Sequence, residues 1–97
     1  MNALDVKREV DPGAFYRLEL PRMARTRRTD GWVDGGLCPF HPDRRPGSFH
    51  VNLDSGAFRC FSCGARGGDI IAFVELRGGL TFRLAVDALA RAWGVSP

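Results

Sequence analysis

Between positions 48 and 53 the chain alternates, with Phe49, Val51 and Leu53 apolar and Ser48, His50 and Asn52 polar. A period of two predicts a half-buried strand with one wet face. Asp54-Ser55-Gly56 is a hairpin turn signal, and residues 57–61 return as the partner strand. Residues 31–37 (G-W-V-D-G-G-L) are also strand-like, with a bend expected at Gly35-Gly36. The run from Cys63 to Gly68 reads as a glycine-rich loop.

The period then becomes helical. Asp69 is a suitable N-cap for a helix over residues 70–77, with Ile70, Phe73 and Val74 apolar at i, i+3 and i+4. Gly78-Gly79 stops it, and Thr81 caps a second helix reaching about residue 93. Phe82, Ala85, Val86, Leu89 and Trp93 form its apolar face, and Gly94 ends it. Near the start, Asp11-Pro12 opens a short helix carrying Phe15, Tyr16, Leu18 and Leu20 and closed by Pro21. Residues 1–10 have no strong pattern and are expected to be a loose arm with at most a helical turn. The sum is an α+β chain, an antiparallel sheet flanked by helices. Residues 1–30 are expected to be an N-terminal arm with a short helix and a basic segment, and residues 31–97 the domain proper.

A chain of 97 residues holds one domain and a small core, so a staple is expected. No apolar run reaches the ~18 residues of a membrane span, and no export signal opens the chain. Fourteen basic residues against eleven acidic give a net charge of +3. Lys7 is the single lysine, and residues 22–28 (R-M-A-R-T-R-R) hold four arginines without an acid. Three cysteines, an odd number, cannot all pair within one chain, which points to a reducing, cytoplasmic setting.

The staple is legible. Cys38-Pro39-Phe40-His41 is followed by eighteen residues and then Cys60-Phe61-Ser62-Cys63. Each half is a donor pair spaced so that a tight turn brings both donors to one ion. The hairpin between them is long enough to bring the halves together. Three thiolates and an imidazole complete a tetrahedral zinc shell. A closed shell leaves no position for substrate or activated water, so one structural zinc is expected rather than a catalytic one. His50, the other histidine, lies mid-strand with no cysteine two residues away, and is not expected to be a ligand.

These residues carry a resemblance. C-P-F-H-P-D-R-R-P-G-S-F-H-V, F-R-C-F-S-C-G-A-R-G-G-D-I-I-A-F-V and the tail L-T-F-R-L-A-V resemble the N-terminal zinc-binding domain of bacterial DnaG-type DNA primases, from about Gly31 to Val95. The resemblance implies a Cys-His-Cys-Cys zinc ribbon that binds single-stranded template DNA and helps a catalytic domain start an RNA primer. Its ligands carry over as Cys38, His41, Cys60 and Cys63. Two departures stand out: Gly47 is inserted where the family usually has Pro-Ser, and Asp43 stands where the family tends to have glutamate. The chain also stops where the family's RNA-polymerising domain would begin, and it has no carboxylate cluster for nucleotidyl transfer.

The expected function is therefore a stand-alone module that binds single-stranded DNA and assists priming by a separate primase or replication protein, as in a split primase or a plasmid or mobile-element product. Primase activity itself is implied only by the resemblance. Single strands are held by cations along the backbone and by aromatic faces under the bases. The residues placed in that role are Arg22, Arg25, Arg27, Arg28, Arg44, Arg45, His50, Phe58, Arg59, Phe61 and Arg66. The rival reading is a protein-interaction or regulatory adaptor that uses the ribbon as a scaffold. A minimal primase acting alone is the third.

Overall fold

A computed structural model describes residues 2–23 and 26–95. In chain order it contains α1 (Ala3–Glu9), α2 (Pro12–Glu19), β1 (Trp32–Asp34), β2 (Phe49–Asn52), β3 (Phe58–Cys60), β4 (Arg66–Gly67), α3 (Ile70–Gly78) and α4 (Phe82–Trp93). The strands form one antiparallel sheet in the order β1-β2-β3-β4.

The alternation read from the sequence is the alternation observed. Val33, Phe49, Val51, Phe58 and Cys60 point into the core, while Trp32, Asp34, His50, Asn52 and Arg59 lie on the other face. The β2–β3 turn is fixed by Asn52, whose side-chain oxygen accepts from the N–H groups of Asp54 and Ser55 at 2.9 and 3.0 Å. Gly36 has φ +80°, and a Cβ there would strike the Arg22 carbonyl, which explains the bend after β1.

The helix caps follow the sequence closely. Asp11, Asp69 and Thr81 accept the N–H groups of Ala14, Ala72 and Leu84. Gly79 and Gly94 end α3 and α4 in the left-handed conformation.

Residues 2–10 are not a loose arm. Ala3–Glu9 form α1, capped by Asn2 and followed by Val10, and Val6 and Val10 are buried in the same core as the sheet. Two buried residues four apart were too sparse a pattern to stand out beside the polar ones. Phe15 and Tyr16 in α2, with Leu20 at its C-cap, set the buried side and leave Leu18 exposed. Phe82 is also exposed, because it is the first residue of α4 and precedes the stretch that meets the core. The run from 63 to 68 is not all loop, since β4 pairs with β3.

An aromatic cluster joins the two layers. Phe73 of α3 lies within 5.6 Å, centroid to centroid, of Phe15, Tyr16, Phe40 and Phe58. The Tyr16 hydroxyl donates to the Gly56 carbonyl across 2.5 Å and ties α2 to the β2–β3 turn. Burial, with the Asp69 carboxylate adding to it, holds this phenol protonated far above its ordinary range.

Candidate functional site

The two donor pairs sit at opposite ends of the sequence hairpin and at one place in space. Cys38 and His41 belong to the loop after β1, Cys60 ends β3, and Cys63 follows in the turn before β4. One donor atom from each lies within 4.8 Å of all the others. The Cys38 and Cys63 sulfurs are 3.8 Å apart, and Cys60 Sγ is 4.0 Å from His41 Nδ1. Sulfurs at about 2.3 Å from a tetrahedral zinc stand about 3.8 Å apart, so the donor set fits that ion.

The backbone prepares the sulfurs. The Phe40 N–H approaches Cys38 Sγ at 3.4 Å, and the Gly64 N–H donates to the Cys60 carbonyl at 3.0 Å, closing the second turn with Gly64 at φ +81°. Burial pushes the Cys38 thiol up to about 12, more than the Phe40 N–H offsets. Burial also opposes ionisation of Cys60, but the N–H groups of Cys63 and Ser62 outweigh it with help from the neighbouring thiols, and its pKa falls below the usual thiol value.

Asp43 is part of this arrangement, a role not read from the sequence. One carboxylate oxygen accepts the Cys38 N–H at 2.8 Å, and the other lies 3.8 Å from His41 Nε2. The Cys38 N–H, with the N–H groups of Arg45 and Arg44 and the His41 ring, holds its carboxyl below the usual range. The available signal was the acid two positions after His41 in C-P-F-H-P-D.

A family model described as the CHC2 zinc finger, the DnaG-type zinc ribbon, matches residues 22–96. The chain belongs to that family. The CHC2 segment is 49% identical over 55 residues to a DNA primase of Mycolicibacterium smegmatis, covering 57% of this chain and 8% of that protein. It is 48% identical over 61 residues to a DNA primase of Streptomyces coelicolor, covering 63% of this chain and 9% of that one. The fold matches the solved Aquifex aeolicus primase, zinc-binding and RNA polymerase domains, with a TM-score of 0.74 and 30% identity over 100% of this chain and 23% of the other. The chain therefore spans less than a tenth of the length of these curated relatives.

Beside the CHC2 cluster, the outward face of the sheet carries a concavity of about 420 Å³ lined by Trp32, His50, Arg59 and Phe61. Cross-strand pairing sets Asp34 opposite His50, His50 opposite Arg59, and Arg59 opposite Arg66. The Arg59 guanidinium lies 4.7 Å from the centre of the Phe61 ring, and the His50 ring meets that same ring edge-on at 5.8 Å. Trp32 forms a wall of the concavity and was missing from the residues expected to bind nucleic acid. Its signal in the sequence was the alternation Trp32-Val33-Asp34, which sets it on the face opposite Val33.

Phe58 is corrected. It is 1% exposed and packed against Phe40, Phe49 and Phe73, so no base can stack on it. Arg22, Arg27, Arg28, Arg44, Arg45 and Arg66 are exposed. Arg25 lies outside the described residues.

Proposed function

We propose that this chain is a primase-type zinc module that binds one structural zinc through Cys38, His41, Cys60 and Cys63, and grips single-stranded DNA on the outward face of its sheet. The zinc would neutralise thiolate charge and cross-link the β1–β2 loop to the end of β3; no reaction step falls to it. The observation that carries the DNA reading is the concavity of Trp32, His50, Arg59 and Phe61, with Arg66 beside Arg59. Exposed rings offer stacking surfaces to unpaired bases, and the arginines offer charge to the phosphates. A cytoplasmic module of this kind would present template to a separate primase or replication protein. Arg22, Arg25, Arg27, Arg28, Arg44 and Arg45 would extend the phosphate track.

The test is affinity for single- and double-stranded oligonucleotides across a salt series. Single strands should bind more tightly. Replacing Arg59 and Arg66 by alanine should flatten the slope of log affinity against log salt by about 1.4, at about 0.7 per phosphate. Equal affinity for duplex, or an unchanged slope, would count against the reading.

A second reading has its own support. Leu76, Phe82 and Leu84 on α3 and α4 are each at least half exposed, which suits an adaptor that meets a protein partner through its helices. A chain that binds no single strand at any salt concentration would favour it.

A further inference from the structure

Metal-binding histidines need a lone pair on the nitrogen that faces the ion, so the other nitrogen must carry the proton. In this chain His41 turns Nδ1 toward Cys60 Sγ and Nε2 toward Asp43 Oδ1, 3.8 Å away. Both side chains are largely covered, at 21% and 10% exposure. The same carboxylate is anchored through Oδ2 by the Cys38 N–H at 2.8 Å. Asp43 thus accepts a hydrogen bond from the backbone of one donor of the first pair and faces the ring of the other at ion-pair rather than hydrogen-bond distance. A single acceptor would suffice for Cys38, but holding both requires two acceptor oxygens, and only a carboxylate supplies them.

We propose that Asp43 is a positioning residue for the metal, fixing His41 as the tautomer with its proton on Nε2 and thereby retaining the ion. This rests on the zinc reading above. A carboxylate facing Nε2–H favours that tautomer over its rival and makes Nδ1 the better donor. It also links the orientation of His41 to the turn at Cys38, so the first pair of ligands is held as a unit.

The test uses the full zinc-loaded chain. Metal affinity is measured by competition with a chelator, and the His41 ring nitrogens are followed by NMR. Asp43→Asn keeps one acceptor for the Cys38 N–H but loses the charge and the second acceptor. It should weaken zinc affinity by about 10- to 100-fold, the usual effect of removing such a partner, and should disturb the Nε2–H signal. Asp43→Glu keeps the charge and should restore most of the affinity. In a His41→Cys background there is no ring to orient, so Asp43→Asn should have no further effect.

The proposal is overturned if Asp43→Asn holds zinc as tightly as the parent with the same ring signature, or if it causes the same loss in the His41→Cys background, which would place its action at Cys38. A parent chain that holds no zinc overturns the zinc reading and this proposal together. Zinc held equally by parent and variant overturns this proposal alone.

Discussion

Phe58 and Phe61 are three positions apart on one strand and its exit, and their fates are opposite. An odd separation in extended chain places side chains on opposite faces. Phe58 is sealed in the aromatic cluster, whereas Phe61 is 65% exposed under the Arg59 guanidinium. Truncating a buried phenylalanine costs about 3–5 kcal/mol, a large share of what a domain this small can hold. Phe58→Ala should therefore lower thermal stability sharply. Phe61→Ala should leave melting nearly unchanged and weaken single-strand binding by about 5- to 150-fold, the equivalent of about 1–3 kcal/mol of stacking. Calorimetry and a binding titration on the two variants check this. A Phe61→Ala chain with unaltered affinity would remove the ring from the proposed interface. Parity alone separates these residues: once Arg59 is placed outward, Phe58 must face in.

At the scale of elements, the parts that could be read from sequence were those with a local signal. The β2–β3 hairpin has its alternation, α3 and α4 have an N-cap and a closing glycine, and the ligand pairs have their spacing. Elements defined by distant partners could not be read in that way. Strand β4 is two residues long and exists because β3 supplies its hydrogen bonds. Helix α1 has one residue, Val6, buried inside it, and is held by contact with the rest of the core. Asp43 was legible as an acid but not as a bridge, because the bridge needs the loop closed. The capping signals can be tested directly. Asp69 accepts the Ala72 N–H at 2.8 Å and also meets Lys7 of α1 at 3.4 Å. Asp69→Ala should cost about 0.5–2 kcal/mol, the usual loss of an N-cap. That appears as a drop of several degrees in melting temperature, with DNA affinity unchanged. A variant that melts normally but binds poorly would assign Asp69 to the interface instead.

At the scale of the whole molecule, the two sides of one sheet differ in what they present. The inner face packs against the aromatic cluster and the helices, and the outer face carries Trp32, His50, Arg59 and Phe61. The Cys-His-Cys-Cys cluster joins the loop after β1 to the end of β3, and so holds the frame on which that outer face is displayed. The most direct measurement is amide and side-chain NMR of the zinc-loaded chain titrated with a short single-stranded oligonucleotide. Shifts should concentrate on Trp32, His50, Arg59, Phe61 and Arg66, with the indole and guanidinium signals among the largest. Shifts confined to α3 and α4 around Leu76, Phe82 and Leu84, or no shifts at a saturating strand concentration, would contradict a DNA-binding sheet face.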